Sequence, residues 1–498
     1  MKIINGIEAK KVIQETLDIA TSSVNHTLGP LGTNVVAVLD GKTTVTNDGV
    51  SIIKTLKLDK AHNIPLDIIK QACFNAERKS GDGTTTALIL TKAIYDKIRS
   101  YENECKALVL RNKLLNLSKE LEELIIKNSK KISTRKDILG VATVASGGDS
   151  SLGELITKAF ETVKLKGTVD YKLEPTIENI KIESNNGYFI PCDYLGFSKL
   201  KEVKEAKVLI YSGTISTMQD LRELIIYSRN ENDNKPIILF SNFEQGAIEG
   251  IFQYNSAGTN IYPFSLPSYG FNRVQLLKEI SSLCNTAEIK NTFNFLEYDS
   301  DDFKDVIGTI NSAVLKENGI IFNNLDKELY DKFIKVLEEK NPERAEELKN
   351  GTVTILVGGK TEVEADEKLL RIEDAVNSVK LALESGIVIS GASLLKKISL
   401  EICKNYDNIE NVIMISALSK PFENLLINST LKETEFKEIE KEILSSEKEF
   451  GFNVQTGKIE NLFESGIIDA TKTVINSLNS AISIATSLAT INCIIYED

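Results

Sequence analysis

At 498 residues the chain has room for roughly two to four domains with sizeable cores, and 42% hydrophobic with 26% charged residues is an ordinary soluble composition. The formal net charge of −12 disfavours nucleic acid or an anionic membrane as main partner. No apolar run reaches about 18 residues and the N-terminus lacks the apolar stretch of a signal peptide, so a cytoplasmic protein with no membrane partner is expected.

Spaced apolar positions predict a helix over 7–25. Thr27-Leu28-Gly29-Pro30-Leu31-Gly32-Thr33-Asn34 is a glycine–proline turn leading into a β-branched run, Val35, Val36 and Val38. Thr44-Val45-Thr46-Asn47-Asp48-Gly49-Val50 places an acid in a second turn. Another helix is expected over 64–77. The run Gly81-Asp82-Gly83-Thr84-Thr85-Thr86-Ala87 follows, and it carries the most chemistry. Glycine permits close approach of backbone to an anion. Threonine hydroxyls and successive N–H groups cradle phosphate oxygens, above all where a helix begins. An aspartate in such a cradle repels phosphate unless a hard cation lies between, so Asp82 reads as a Mg²⁺ ligand. Ala87-Leu88-Ile89-Leu90 continues as a helix with the threonines as its cap and first turn. The plain alternative is an N-capped turn. The run lacks the Gly-Lys-Ser/Thr ending of a P-loop and is a different nucleotide-binding device.

Leucines near helical spacing predict a helix over 106–127. Farther on, Lys207–Tyr211 and Lys235–Phe240 are short apolar strands on either side of a helical pattern around 217–228, which suggests an α/β unit with parallel strands. Residues 326–349 read as a charged helical hairpin with a solvated face. A last helix, with small and β-branched residues on its buried face, is expected over 470–491. The six cysteines are scattered without a Cys-x-x-Cys and read as reduced, mostly buried thiols. The nucleotide motifs therefore sit toward both ends of the chain, around an α/β insert.

In order and spacing these motifs resemble those of the chaperonins, specifically the group I, GroEL-type ring ATPases, of which the chain looks like a divergent member. Thr361-Glu362-Val363-Glu364 and Arg371-Ile372-Glu373-Asp374-Ala375 are similar to the family's returning hinge helix, and Gly466-Ile467-Ile468-Asp469 with Thr471-Lys472 to its C-terminal nucleotide contact. The match is weak only around 285–350. The resemblance implies an α+β multidomain fold. A mainly helical equatorial ATPase domain takes 1–127 and 385–498, a small α/β intermediate domain 128–179 and 353–384, and an α/β apical substrate domain 180–352. It implies ATP and Mg²⁺ as cofactors, with K⁺ allowed for.

Residue by residue, Thr27, Leu28, Gly29 and Pro30 match the loop along the phosphates and adenosine, with Asn47 beside them. Asp82 matches the metal ligand, and Gly83, Thr84, Thr85 and Thr86 the phosphate cradle. Asp374 matches the catalytic acid that positions the attacking water, and Asp48 a second acid beside that water. Gly391, Asn453, Val454 and Asp469 match nucleoside contacts; in isolation Asp469 is equally a helix N-cap, and Asp374 a solvated helix acid. Tyr188, Leu221, Leu224, Ile225, Ile248, Ile251 and Phe252 fall where the family exposes apolar side chains to unfolded client proteins, although such positions are also ordinary core positions. Homo-oligomeric rings, of seven subunits by resemblance, are expected, with a co-chaperonin as a further partner.

The chain departs from bacterial members in several places. Asn47 replaces a lysine, Ser390-Gly391-Ala392 a triple glycine, and Asn186 an arginine that pairs across subunits with the position of Glu362. The Gly-Met tail is absent, and Glu423 and Lys432 reverse the signs of a ring–ring pair. The expected function is ATP-dependent protein folding. The alternatives are a chaperonin-fold assembly or binding protein with little ATP turnover, and a phosphotransferase for which no acceptor site is visible.

Overall fold

Ser477, Ala481, Ala485 and Ala489 recur every fourth residue of the helix Thr471–Ala489, and all are buried. Small side chains allow neighbouring helices to approach closely. Three helices pack around this one: Lys60–Ser80, Thr84–Ser100 and Ala107–Lys127. With Gly6–Val24 and Ile409–Leu418 they enclose one continuous core that includes Leu17, Leu88, Ile94, Leu114, Leu121 and Ile482. The buried hydroxyls of Thr16, Thr91 and Thr486 each donate to the carbonyl four residues earlier, which satisfies them inside their own helices. Each of the five helices predicted along this part of the chain is present, with ends displaced by a few residues.

The computed structural model describes residues 1–39, 42–185, 188–196, 201–265, 271–290, 295, 298–299, 301–316, 319–323, 325–405, 408–429 and 431–497. They divide into two compact units. The first comprises 1–159, 171–181 and 355–498, and the second 160–170 and 182–354. The second unit covers most of the segment expected as the apical domain. Most of the two segments expected as an intermediate domain falls with the helical unit. Around that helical core lie four two-stranded sheets among the described residues, of which two leave apolar side chains exposed. Lys2–Asn5 pairs antiparallel with Cys493–Tyr496, and Val35–Leu39 with Lys42–Thr46.

The second unit is built on a mixed sheet. Its long strand Lys201–Ile215 runs parallel to Ile237–Phe243, which runs parallel to Ile261–Ser265. The expected parallel α/β pair is therefore present, with Arg222–Asn230 as its helix. On the other side of the long strand, Gly308–Lys316 and Gly319–Asn323 continue the sheet antiparallel, followed by Tyr188–Pro191. Alternation along the strands sends side chains to opposite faces. Ile238 and Phe240 join one core, with Phe264 and residues of the helices Phe271–Cys284 and Lys327–Lys340; Ile237 and Leu239 join the other. The charged hairpin expected over 326–349 is present as Lys327–Lys340 and Pro342–Lys349, and its inner face buries Phe333, Ile334, Leu337 and Ala345.

This sheet corrects the expected client surface. Leu221, Leu224, Ile225 and Ile251 are buried against the Leu209–Leu239 face, and Tyr188 is buried in the opposite core. There the Tyr188 hydroxyl donates to Glu279 and its ring meets Phe333 edge-on at 6.1 Å. The physical reason is that a helix covering a sheet must bury one apolar stripe, and these residues are that stripe. Ile248 is half-buried and Phe252 is 53% exposed. None of the six cysteines forms a disulfide among the described residues, and three are buried. Burial pushes the Cys192 and Cys284 thiols far above their usual range, so they are inert.

Denaturant unfolding of the intact chain separates these roles. Leu224→Ala should destabilise by about 2–5 kcal/mol, as buried leucine truncations do. Phe252→Ala should stay within about 0.5 kcal/mol of wild type. Equal effects would mean that the sheet face is not packed as described.

Candidate active site

The first acid of the site is fixed by helix capping. Asp48 precedes the helix Gly49–Thr55, and its two carboxylate oxygens accept from Val50 N at 3.1 Å and Ser51 N at 2.8 Å. Its own N–H donates to Thr46 Oγ1 at 3.0 Å. The second acid, Asp82, accepts from the N–H of Gly83. Gly83, and not a threonine, caps the helix Thr84–Ser100, with φ of +90°. A side chain there is excluded twice, because that φ is left-handed and a Cβ would lie 2.3 Å from Ser477 Oγ. Ser477 Oγ instead donates to Gly83 O at 3.1 Å. Thr84, Thr85 and Thr86 form the first turn, where backbone N–H groups have no partner within the helix.

The Thr27–Pro30 turn meets this cradle. Thr27 Oγ1 lies 3.5 Å from Thr85 Oγ1 and bonds Val24 O at 2.9 Å. Gly32 N–H closes the turn on Gly29 O at 2.9 Å. Asn428, which the sequence did not single out, holds it from outside by donating to Leu28 O at 3.0 Å and Asn25 O at 2.7 Å.

The remaining groups come from later in the chain. Asp374 and Arg371 are one turn apart on the helix Glu362–Ser385, whose start is capped by Thr361 Oγ1. Asp469 lies on the short strand Ile468–Ala470, opposite Val388, so it is not an N-cap. Ala470 holds the cap position of the following helix. Burial pushes the Asp469 carboxyl up to about 6, opposed by a hydrogen bond from Ser390. Asn453 uses its side chain to close a hairpin, accepting from Gln455 N at 2.9 Å and donating to Glu460 at 2.7 Å. Ala392, in place of a glycine, is held at φ of +56°, a conformation strained for a side-chain-bearing residue.

Every residue expected at the nucleotide site lines one cavity of about 340 Å³ within the first unit. Thr27, Leu28, Gly29, Pro30, Asn47, Asp48, Asp82, Gly83, Thr84, Thr85 and Thr86 meet Asp374, Gly391, Asn453, Val454 and Asp469 there. The size suits a small-molecule ligand. The end of the helix Arg135–Ala145, with Thr143, Val144 and Ala145, and the Gly147-Gly148 turn after it also line the cavity and were not anticipated; their only signal in the sequence is that glycine pair. Among the described residues no group of three or more acidic, histidine or cysteine side chains could cage a metal. A single carboxylate, Asp82, beside a phosphate cradle fits Mg²⁺ arriving with a nucleotide, since that ion keeps water and phosphate ligands.

The TCP-1/cpn60 chaperonin family model matches residues 21–233 and 275–498. The chain belongs to that chaperonin family. It is 28% identical to the chaperonin GroEL of Acholeplasma laidlawii, over 99% of this chain and 96% of that protein. It is 27% identical to the mitochondrial chaperonin homolog Hsp-60 of Caenorhabditis elegans, over 99% and 91%. Its fold matches crystal structures of the chaperonin gp146 from the Pseudomonas aeruginosa bacteriophage EL with TM-scores of 0.78 and 0.73, at 21% and 20% identity, over 100% of this chain and 100% and 99% of those chains. This chaperonin is a divergent member with the family's α+β multidomain fold, and no described helix is long and apolar enough to cross a membrane.

Two further expectations have local outcomes. Asn186 lies outside the described residues. Glu423 already has a partner in its own chain, Lys420, at 2.5 Å. Of the expected client residues, Ile248, Ile251 and Phe252 line a second, shallower cavity of about 290 Å³ in the second unit, with Tyr194 and Tyr262.

The Asp469 carboxyl sets a pH dependence. Its folded value of about 6 exceeds the ordinary 3.8, so the folded state holds a proton that the unfolded chain releases. That contribution is complete below about 3.8 and is lost as pH rises through about 6. Melting temperatures of the nucleotide-free protein between pH 5 and 8 should therefore fall less steeply in Asp469→Asn than in wild type. Parallel curves would show the carboxyl to be unperturbed.

Proposed function

We propose that this chaperonin hydrolyses ATP, assembles into homo-oligomeric rings and uses the nucleotide cycle to promote folding of other proteins. The observation that carries the reading is the meeting of Asp48, Asp82 and Asp374, from three distant segments, around one phosphate cradle. Phosphoryl transfer to water needs orientation and charge neutralisation more than covalent help. The N–H groups of the Thr84–Thr86 turn and the threonine hydroxyls bind phosphate oxygens. Asp48 is held rigid by two backbone donors and orients water from one side. Asp374 acts from a separate helix and accepts the water's proton. Mg²⁺ at Asp82 supplies neutralisation of the polyphosphate. The crystallisation of the phage EL chaperonin in the presence of ATP-BeFx supports a nucleotide as ligand.

Ring assembly is supported by two of the two-stranded sheets of the helical unit, Val35–Leu39 with Lys42–Thr46 and Lys2–Asn5 with Cys493–Tyr496. Val36 and Val38 are 69% and 62% exposed, and Ile3 and Ile495 are 60% and 52% exposed. Open edges with apolar side chains invite pairing with another chain. Head-to-tail pairing of unlike edges closes into a ring when the rotation permits. For clients, the exposed Phe252 and half-buried Ile248 beside the second cavity supply apolar surface, a smaller patch than the sequence suggests.

Asp374→Ala should leave ATP affinity nearly unchanged and slow hydrolysis at least about 10²-fold, because it removes an orienting acid and not a binding contact. Asp82→Ala should weaken Mg-ATP binding itself. Steady-state hydrolysis and equilibrium nucleotide binding, measured with refolding of a denatured client, test the reading. A wild-type protein that binds ATP without hydrolysing it would instead be an assembly protein, and unchanged turnover in Asp374→Ala would remove that residue from the mechanism.

A further inference from the structure

The charge lining the nucleotide cavity is unbalanced. Its ionisable residues are Asp48, Asp82, Asp374 and Asp469 on one side of the ledger and Arg371 alone on the other. A polyphosphate entering there meets four carboxyl groups and, among the described residues, one cationic side chain. Asn47, next to Asp48 on the cavity wall, adds no charge.

Arg371 is held where it can act. Its Nη2 bonds Glu367 Oε1 at 2.5 Å, one turn back on the same helix. Its charge also reaches Asp149, the residue that follows the Gly147-Gly148 wall of the cavity. The Asp149 carboxyl lies below its usual range although burial opposes this, because Ser151, the Leu152 N–H and Arg371 all favour its charged form. The side chain is 26% exposed, yet its Nε is buried and has no hydrogen-bond partner. A buried donor on a charged group without an acceptor is costly, and it calls for a specific cause. Guanidinium groups match phosphate oxygens with paired N–H donors. Asp374, assigned above to the water at the terminal phosphate, lies three residues farther along the helix, about 4.5 Å of rise away.

We propose that Arg371 is the cation that engages the terminal phosphate of the bound triphosphate, with its unpartnered Nε–H supplying one of the donors. The proposal rests on the nucleotide reading of the cavity. Glu367 holds the guanidinium in place, and the terminal phosphate satisfies the orphaned donor. ADP, which lacks that phosphate, leaves it unsatisfied. Arg371 thus distinguishes triphosphate from diphosphate and brings the Asp374 helix onto the site only when a terminal phosphate is present.

The test compares binding of a non-hydrolysable ATP analogue and of ADP, each with Mg²⁺, by calorimetry on the full chain. Arg371→Gln should weaken the triphosphate analogue at least about tenfold while ADP affinity stays within about threefold. Arg371→Lys, which keeps the charge without the planar fork, should fall between wild type and Arg371→Gln. Adding Asn47→Lys to Arg371→Gln places a second cation on the same wall and should restore part of the lost triphosphate affinity. Turnover should fall with triphosphate affinity in Arg371→Gln. Equal weakening of both nucleotides would make Arg371 a structural residue and overturn the proposal, as would unchanged binding of the analogue. A misfolded Arg371→Gln shifts the decision to Arg371→Lys, where an unchanged ratio of the two affinities, together with an unchanged ratio in Asn47→Lys/Arg371→Lys, overturns it. If wild type binds neither nucleotide, the nucleotide reading itself fails; if wild type binds both and only the variants disagree, this inference alone fails.

Discussion

The packing of Thr471–Ala489 against Thr84–Ser100 is the contact on which the rest of the first unit depends. It joins the last long helix of the chain to the helix that begins at the phosphate cradle. Small residues at four-residue intervals make the approach close. At its tip, Ser477 bonds the carbonyl of Gly83, so the left-handed turn beside the cradle is held by a side chain from nearly four hundred residues away. A bulkier residue at either position would separate the helices and open the cradle. The cavity is thus a consequence of core packing and not of a loop that folds alone.

The same packing determines the electrostatics. Four carboxyl groups are placed around the cavity, and each is managed differently. Asp48 is satisfied by two backbone donors, and Asp82 takes the Gly83 N–H. Asp469 is desolvated on a strand, which favours its protonated form. Asp374 stands on a helix with the only cation of the described lining. A site so rich in acid favours ligands that bring their own cations, which is why a metal–nucleotide complex suits it better than a free anion.

In the second unit the governing constraint is the sheet. Its central strands are apolar on both faces, so helices must cover both, and the stripes that do so are unavailable to clients. Leu224 and Phe252 look alike in a sequence. One is buried in the same core as Leu239 and the other faces solvent. The resemblance to chaperonins pointed to two helices of this unit, but helix rotation relative to the sheet decided which of their side chains remain exposed.

The sequence by itself determined the family, the fold class and which residues line the cavity of the first unit, because Thr27–Pro30, Gly81–Thr86 and Asp374 carry local chemistry that few other arrangements require. It also determined most helices, since apolar spacing is a local property. Asn428, the helix end and glycine turn at 143–148 and the isolation of Arg371 among carboxylates were not legible, because each depends on which distant segments face one cavity. Tertiary structure likewise decided that Asp469 sits desolvated on a strand, that the Asn453 amide closes a hairpin, and that Tyr188 and the Leu221–Ile225 stripe are core. Burial and solvation are sums over neighbours brought together by folding, and no short stretch of sequence contains those neighbours.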